Sequence, residues 1–403
     1  MRRWPDDAGT RPRERTRLLI VTDEMEVGGS QRQIVALSRG IDPAAFDVSV
    51  AYFRERSYLV DELEAAGVRV VHLPKRARVD PRFVAALAGE MRRGAHDIVH
   101  AFGFTAELWT AVARLALRGR DRPALVTSIR GTYDAYAAWQ WRIKRWVSAN
   151  SSRIVANSRA GAAHAAPRLR LPVAAIDVVY NGVADEVAPV GARAQLRQQW
   201  GVPDGAVVVL FVGRLVEVKR VDTLLHAAAL LAADGCAQHV VICGDGPQRA
   251  ALEQLARSLG VDGRVHFAGE RSDVAAVIDA ADLVVLPSRH EGLSNVILEA
   301  MRGARPVVAS RAGGNVELVD HERNGLLFDV GDQRGLAAAI RRLAGDEPLR
   351  RAMGVRGAQR VAADFSVPRM VQALCAIYGL ALQRPAEPGA ATDAAAAPAA
   401  STR

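Results

Sequence analysis

The sequence has few cysteines, no long apolar run and one long stretch without acids. Cys236, Cys243 and Cys375 are too few and too scattered for a disulfide framework or a zinc site, and they suit a reducing compartment. No apolar run approaches the roughly 18 residues that span a bilayer, so we expect no integral membrane protein. The basic N-terminal residues have no apolar stretch behind them, so we expect no secretory signal.

Acids are missing from positions 135–176, where seven bases occur: Arg142, Lys144, Arg145, Arg153, Arg159, Arg168 and Arg170. The whole chain has 53 bases and 44 acids, a net charge of +9. A patch of one sign attracts phosphates, nucleic acid or an acidic bilayer surface, although a solvated face has the same composition. The stretch contains no recognisable nucleic-acid-binding module, so we expect no nucleic-acid partner.

Short aliphatic runs alternate with helical patterns along the 403 residues, which is typical of βαβ units in parallel sheets. The length predicts two domains, each a doubly wound α/β sheet. Several runs are apolar throughout, as strands covered on both faces should be. The twelve predicted strands are 17–22, 47–53, 68–73, 97–101, 124–129, 153–158, 176–181, 206–213, 239–244, 264–269, 282–287 and 305–310.

The alternation pauses between Asn181 and Asp204, so we place a domain boundary near residue 190. The prediction is a first domain over 16–190, a second over 191–366 and a final helix over 367–383. The segments 1–15 and 384–403 are predicted to be disordered, the latter because it is low-complexity Ala/Pro. Ligands in open α/β sheets bind beyond the carboxyl ends of the strands, so the turns there are the candidate sites.

The turn after the first strand contains Gly28 and Gly29, followed by Ser30 as a candidate helix cap. A glycine pair that opens a helix offers free N–H groups to a phosphate or a sugar hydroxyl, although a plain tight turn has the same residues. The turn lacks the G-x-G-x-x-G spacing, which argues against a nicotinamide or flavin cofactor.

In the second half, Gly213 ends a strand, and Arg214 and Lys219 flank the loop that follows it. Two cations at a strand-to-helix turn suit a diphosphate, because arginine donates forked hydrogen bonds and lysine acts as a point charge. Two solvated charges are the alternative.

The segment 286–319 is the most informative one. Glu291 follows a strand, Gly292 opens a helix, and Glu299 falls eight residues after Glu291, so both carboxylates can face the same side. Two carboxylates beside a helix N-terminus suit a ligand with hydroxyls at both ends and phosphates between them. Alternatively, Glu299 pairs with Arg302 and Glu291 is only an acid in a first turn.

These residues resemble the retaining glycosyltransferases of family 4. The resemblance covers roughly residues 17–383 and is carried by EGLSNVILEAMRGARPVVAS, FVGRLVEVK, CGDGPQRAALE, VHFAGERSDV and NGLLFDVGD. It implies the GT-B fold, in which two Rossmann-like domains face each other across a cleft and a C-terminal helix crosses back to the first domain. The first domain would then be the acceptor side and the second the donor side.

The resemblance also implies roles for individual positions. Glu291 would bind the donor sugar, Glu299 the nucleotide ribose, and Arg214 and Lys219 the diphosphate. Other donor contacts would come from the residues Gly28, Gly29, Gly213, Gly292, Leu293, Ser294 and Asn295, and the base would lie near Ala268–Arg271, which includes Glu270 and Arg271. No metal or other cofactor is implied, because the cations and the helix dipole stabilise the leaving diphosphate.

One position departs from the family pattern. Arg130 stands where many members carry a histidine, in the turn LVTSIRGTYD. Arginine is not a base at neutral pH, but it can hold an anionic group, so we include it among the candidate catalytic residues with Glu291, Arg214 and Lys219. His100 ends the preceding strand and either compensates for the missing histidine or is structural.

The segment 136–153 places Trp139, Arg142 and Trp146 at helical spacing i, i+3, i+7. Tryptophans with bases on one helix suit an anionic membrane surface, whereas the alternative is packing of a tryptophan, Ile143 and Val147 inside the domain.

The sequence therefore predicts a cytoplasmic retaining glycosyltransferase, peripheral at the inner face of a membrane, that uses a nucleotide-sugar donor. Its acceptor would be a saccharide, lipid-linked in glycan assembly. A nucleotide-sugar epimerase or hydrolase, and a non-catalytic nucleotide-sugar-binding partner of a membrane glycan assembly, remain as alternatives.

Overall fold

The computed structural model describes residues 15–26, 28–133 and 136–383, and these residues contain two all-parallel β-sheets. The first sheet has the order β3-β2-β1-β4-β5-β6-β7 and the second the order β10-β9-β8-β11-β12-β13. The strands of the first sheet are β1 Thr16–Thr22, β2 Phe46–Tyr52, β3 Arg69–His72, β4 Ile98–Phe102, β5 Ala124–Ile129, β6 Arg153–Ala156 and β7 Asp177–Val178. Those of the second are β8 Val208–Val212, β9 His239–Cys243, β10 Val265–Gly269, β11 Leu283–Leu286, β12 Val307–Ser310 and β13 Gly325–Phe328.

Helices alternate with the strands and cover both sheets. In the first half they are α1 Gly29–Gly40, α2 Tyr58–Ala65, α3 Pro81–Arg93, α4 Phe104–Leu115, α5 Ala138–Ala149 and α6 Arg159–Leu169. They continue as α7 Ala192–Gln199, α8 Val221–Ala233, α9 Arg249–Ser258, α10 Val274–Ala280, α11 Asn295–Arg302, α12 Asn315–Leu318, α13 Gln333–Gly345, α14 Glu347–Asp364 and α15 Val367–Leu382.

The strands form where aliphatic residues follow one another without polar interruption. Leu18, Leu19, Ile20 and Val21 of β1 are fully buried, as expected for a strand with helices on both faces. All twelve predicted strands are present. The thirteenth, β13, was not predicted, because its four residues GLLF contain no β-branched side chain and are too short to give a pattern.

Each sheet reverses its strand order beside its first strand in the sequence. β1 lies between β2 and β4, and β8 lies between β9 and β11. Such reversals open a crevice at the carboxyl ends of the strands, because the flanking helices leave in opposite directions. The candidate turns follow β1, β8 and β11, so the topology brings them to these crevices.

After α14 the chain returns to the first sheet. The backbone N–H of Val183 donates to the carbonyl of Phe365 (2.9 Å), so the outgoing and returning segments run side by side. α15 then buries Met370, Leu374 and Tyr378 in the core of the first sheet. The predicted fold class, two doubly wound domains with a C-terminal helix that returns to the first, is confirmed.

The boundary near residue 190 stays a prediction. The predicted disordered segments 1–15 and 384–403 lie outside the described residues, apart from Arg15.

A buried ion pair holds α5 to the first sheet. Lys144 Nζ lies 2.5 Å from Glu107 Oε2 on α4, and both side chains are about 98–99% buried. Ser128 on β5 joins the pair, since its N–H donates to Glu107 (3.0 Å) and its carbonyl accepts from Lys144 (3.1 Å). The acid-free stretch is therefore less charged at the surface than its composition suggests, and Arg153 also has an acid partner, Asp177.

We expect Lys144→Met to lower the free energy of unfolding by about 3–5 kcal/mol, because Glu107 would stay buried without its cation. Adding Glu107→Gln should recover part of the loss. Urea unfolding followed by circular dichroism measures both effects, with Arg142→Met on the exposed face of α5 as the control. Equal midpoints for Lys144→Met and the control would contradict the importance of the pair.

Candidate active site

The centre of the candidate site is an ion pair between two of the predicted residues. Lys219 Nζ lies 2.6 Å from Glu291 Oε1, and the two side chains are 24% and 11% exposed. Lys219 follows β8 and Glu291 follows β11, and these strands are neighbours in the sheet. Sheet pairing thus brings together two residues that are 72 positions apart.

Arg214, which directly follows Gly213 at the end of β8, is exposed and faces the first domain. Burial raises the pKa of Glu24 in the turn after β1, neighbouring Asp23 and Glu26 add to this rise, and the positive charge of Arg214 opposes it. Burial likewise raises the pKa of Asp23. The sequence analysis did not name these carboxyls, although they immediately follow the first strand.

Glycines allow the turns around Glu291 to pack backbone against backbone. A Cβ on Gly292 would lie 2.3 Å from the carbonyl oxygen of Arg130, in the other domain. A Cβ on Gly314 would lie 1.9 Å from the carbonyl oxygen of Gly292, and one on Gly313 equally close to that of Glu291. The turn with Gly292 is thus held between two other turns, and neither flanking glycine of the second domain was among the predicted site residues.

Helix α11 begins beside this turn and points its N-terminus toward the first domain. The Ser294 side chain caps it by accepting from the N–H of Ile297 (3.3 Å). Asn295 Nδ2 donates to the carbonyl of Gly29 (3.0 Å), so the glycine turn that opens α1 lies opposite. Gly28 is the N-cap of α1 in extended conformation. The structure therefore brings Gly28 and Gly29 to the same place as Leu293–Asn295.

Helix α11 begins at Asn295 and not at Gly292 as predicted, so Glu291 lies in the loop before it. Glu299 lies about one turn into the helix, on the wall of a cavity of about 1050 Å³ between the domains. Burial raises the pKa of its carboxyl, and Arg32 of α1 on the opposite wall counteracts the rise. Arg302 pairs with Asp185 (2.6 Å) instead, so the alternative pairing with Glu299 is not formed. Among the described residues, no hydrogen-bond or ion-pair partner meets the Glu299 carboxylate.

Glu270 and Arg271 do not join the cavity wall. Arg271 forms a forked ion pair with Asp273 (2.8 and 2.6 Å), and Glu270 is exposed. The adjacent wall is formed by Val274 and Ala275 at the start of α10. Apolar residues that suit a flat base therefore follow the predicted segment by three to four positions.

Arg130 and His100 lie beneath the interface between the domains. Arg130 Nη2 donates to Asn181 Oδ1 (2.9 Å), and its guanidinium carbon is 5.5 Å from the centre of the Phe102 ring. His100 is 1% exposed, and its two ring nitrogens lie 2.8 Å from the hydroxyls of Tyr378 and Ser128. Because both ring nitrogens are hydrogen-bonded, His100 has no free nitrogen for a substrate and holds the fold together. Burial and the charge of Arg130 lower its pKa to about 3.

Helix α5 has two different faces. Trp141 and Val147 are buried with Lys144, as the packing interpretation predicts. Trp139 and Trp146 are 50% and 38% exposed, and Arg142 lies between them on the same exposed face. The three residues predicted to share a face therefore do so. Across the ranges that the structure describes, no helix combines the length and the apolar character required to cross a membrane.

Within the same ranges, no cluster of three or more histidine, cysteine, aspartate or glutamate side chains is arranged to hold a metal ion. Lys219 and Arg214 supply positive charge beside Glu291, and the cavity wall includes Arg32, Arg39 and Arg302.

Two protein-family models match the chain. One, described as "Glycosyltransferase Family 4", matches residues 27–187, and the other, described as "Glycosyl transferases group 1", matches residues 192–360. Together they cover every strand except β1, and every predicted site residue.

Curated proteins and solved structures give the same picture. A D-inositol 3-phosphate glycosyltransferase of Saccharomonospora viridis is 32% identical over 357 residues, 78% of this chain and 80% of that protein. The lipopolysaccharide core biosynthesis glycosyltransferase LpsE of Rhizobium meliloti is 35% identical over 201 residues, 46% of this chain and 58% of LpsE. The chain spans only 53–58% of the length of LpsE and two similar relatives. The crystal structure of Anabaena HepE with UDP-glucose superposes with a TM-score of 0.81 at 24% identity, covering 90% and 99% of the two chains, which shows a shared fold.

Glu299→Gln is expected to raise the melting temperature of the ligand-free protein at pH 8 and to change it little at pH 4. Because burial raises the pKa of Glu299, the folded state binds a proton more readily than the unfolded state, and stability falls as the pH rises from the ordinary to the raised pKa. Glutamine removes this ionisation. Thermal unfolding at both pH values measures the difference, with exposed Glu55→Gln as the control. If Glu299→Gln leaves the melting temperature unchanged at pH 8, the ionised Glu299 carboxylate does not destabilise the folded protein, and the prediction is wrong.

Proposed function

The chain belongs to family 4 of the glycosyltransferases, and we propose that it transfers a sugar from a nucleotide-sugar donor to a saccharide acceptor with retention of the anomeric configuration. The observation that carries this proposal is the arrangement of Glu291 and Glu299 around the N-terminal half of α11. The Glu291 carboxylate is paired with Lys219 at the cleft, whereas the Glu299 carboxylate lies on the cavity wall and has no hydrogen-bond or ion-pair partner among the described residues. The carboxylates of Glu291 and Glu299 thus offer hydrogen-bond acceptor oxygens at the two ends of the cleft, and basic side chains line the space between the domains.

In this proposal the donor lies along α11. The carboxylate of Glu299 accepts hydrogen bonds from the ribose hydroxyls, because an ionised carboxyl group is an acceptor and a hydroxyl group is a donor. Lys219, Arg214 and the backbone amides at Leu293–Asn295 hold the diphosphate. Glu291 accepts from the sugar hydroxyls, and its ion pair with Lys219 keeps both side chains at the junction of sugar and phosphate.

The reaction is a displacement on one face of the sugar. The bond between the anomeric carbon and the phosphate oxygen breaks, and the acceptor hydroxyl oxygen bonds to the same face of that carbon. The acceptor proton passes to the departing phosphate oxygen. Lys219 and Arg214 stabilise the negative charge that builds there, and we propose that they do so without a divalent metal.

The acceptor binds on the first-domain side of the cleft. Asp23 and Glu24 follow β1, and the positive charge of Arg214 acts on Glu24. Half-buried carboxyl groups with raised pKa values suit hydrogen bonds with saccharide hydroxyls. LpsE is named for lipopolysaccharide core biosynthesis, which favours a glycan acceptor in bacterial surface assembly. UDP-sugars are the first donors to test, since HepE was crystallised with UDP-glucose.

We further propose that the enzyme works in the cytoplasm, at the inner face of a membrane that carries a lipid-linked acceptor. The exposed face of α5, formed by Trp139, Arg142 and Trp146, supports this, because indole rings sit at headgroup depth and arginine pairs with anionic lipid. Arg168 on α6 and Arg170, the residue after that helix, add exposed positive charge beside it.

We expect UDP, at roughly 100 times its dissociation constant, to stabilise the protein by about 2.7 kcal/mol in a thermal-shift assay that also tests GDP and ADP. Glu299→Ala should remove most of this stabilisation, because the variant lacks the carboxylate proposed to bind the ribose. Lys219→Ala should mainly lower kcat, because its charge matters most when the diphosphate leaves. Equal and small effects of both variants would contradict the site assignment.

The same enzyme preparation separates the alternatives. Sugar transfer requires an acceptor, whereas an epimerase or a hydrolase consumes the donor without one, and a non-catalytic partner binds the nucleotide without turnover.

The membrane proposal predicts that the protein sediments with anionic phosphatidylglycerol vesicles at low salt and is released as salt screens the charges. Trp139→Ala with Trp146→Ala should weaken this binding about tenfold and leave the UDP thermal shift intact. The control is Leu380→Ala with Leu382→Ala, a pair of similarly exposed apolar residues on α15. An absence of vesicle binding by the unmodified protein at low salt would overturn this proposal.

A further inference from the structure

Arg130 occupies an unusual place for a candidate catalytic cation. The carbonyl of Arg130 lies against Gly292 of the second domain, while its side chain turns toward Asn181 and the Phe102 ring. Its Nε is buried and has no hydrogen-bond partner among the described residues. Among the described residues, the guanidinium of Arg130 therefore has one hydrogen-bonded side-chain partner, the amide of Asn181.

That partner fixes an orientation. Arginine has only donors, so Asn181 must turn its oxygen toward Arg130 and its NH₂ away from it. The Asn181 NH₂ then donates to the carbonyl of Leu293 (3.2 Å) and to Asn295 Oδ1 (2.7 Å), both in the second domain. Asn295, in turn, has only its own NH₂ left for the carbonyl of Gly29 (3.0 Å).

A second chain of bonds holds the same point from α1. Gln33 is 6% exposed, and it donates to Asn295 Oδ1 (3.3 Å) and to the carbonyl of Gly182 (2.9 Å). Its own oxygen accepts from the N–H of Gly182 (3.0 Å). Asn181 is 2% exposed, so water cannot readily replace these bonds if one member turns over.

We propose that Arg130 is a positioning residue that sets the orientation of the Asn181 and Asn295 amides and thereby holds the donor-binding turn of the second domain against the first. It acts on the reaction through the alignment of Leu293–Asn295 with Gly29. It does not touch the donor or the acceptor. The role in catalysis rests on the proposed function, whereas the role in alignment does not.

The alternative, a cation that contacts a substrate, predicts a different pattern of mutational effects. A contact residue and Asn295 would act independently, and their effects on turnover would multiply. A residue that acts through Asn295 gives a double variant no worse than the more severe single variant, because the second substitution removes a link that is already broken.

The first experiment is hydrogen exchange, which needs no substrate. Arg130→Met should speed amide exchange in two segments far apart in sequence, 28–34 and 291–299. Asn181→Asp should do the same. The aspartate side chain still offers an oxygen to Arg130, so the contact within the first domain is kept. It has no N–H to donate to the carbonyl of Leu293 or to Asn295 Oδ1. Arg92→Met, an exposed arginine on α3, is the matched control and should leave both segments unchanged.

The second experiment is a kinetic cycle of Arg130→Met, Asn295→Ala and the double variant. Each single variant should lower kcat roughly tenfold to a hundredfold and leave the donor KM nearly unchanged, since misalignment affects the transition state more than nucleotide binding. The double variant should match the more severe single one. Multiplied losses, or exchange that changes only near residues 128–134, would overturn the positioning role. Absence of transferase activity in the unmodified protein would instead count against the proposed function, and the exchange result would still decide the alignment role.

Discussion

The close approach of backbone to backbone at Gly292 is the constraint on which the rest of the site depends. On one side lies the carbonyl of Arg130, and on the other lies the turn with Gly314. A side chain at Gly292 or at Gly314 would push these turns apart. Because the turns meet without side chains, Glu291 and the N-terminus of α11 are held at the surface where the two domains face each other, within reach of both.

Two networks of hydrogen-bonded polar groups are buried in the first domain beneath this contact. His100 bridges β4, β5 and α15 through the hydroxyls of Ser128 and Tyr378, and Lys144 bridges α5, α4 and β5 through Glu107 and Ser128. Ser128 thus lies between the two networks. A buried polar group is costly without a partner, so these networks favour one arrangement of the elements over others. They make the first domain a rigid support for the turn with Arg130.

The two carboxylates of the second domain differ because of what surrounds them. Glu291 has a lysine beside it, which compensates its charge in the absence of a ligand. Glu299 stands alone on a cavity wall, and burial raises its pKa. Glu291 in the loop before α11 and Glu299 within the helix therefore offer two different environments, which suits the proposal that they bind different parts of one ligand.

Much of the fold and part of the site could be predicted from the sequence. The hydrophobic pattern determined twelve of the strands and the two doubly wound sheets, because period and β-branched content are local properties. The prediction that Glu291 and Glu299 share one helix was wrong, because α11 begins only at Asn295 and Glu291 lies in the loop before it. The strand β13 could not be predicted from four residues, and Glu24 has no pattern that distinguishes it from an ordinary turn residue.

Which of these residues contact one another depends on the tertiary packing. Lys219 pairs with Glu291 because their strands are neighbours in the sheet. Arg302 pairs with Asp185 and not with Glu299. Helix α5 has one buried and one exposed face. Tertiary packing also turns Arg130 toward Asn181, a contact over 51 positions that no local pattern contains. The helices and strands, and the residue types at their ends, can be predicted from local sequence patterns, because they depend on neighbours along the chain. Partner choice depends on distances across the fold, which exist only once the sheets and the two domains have packed.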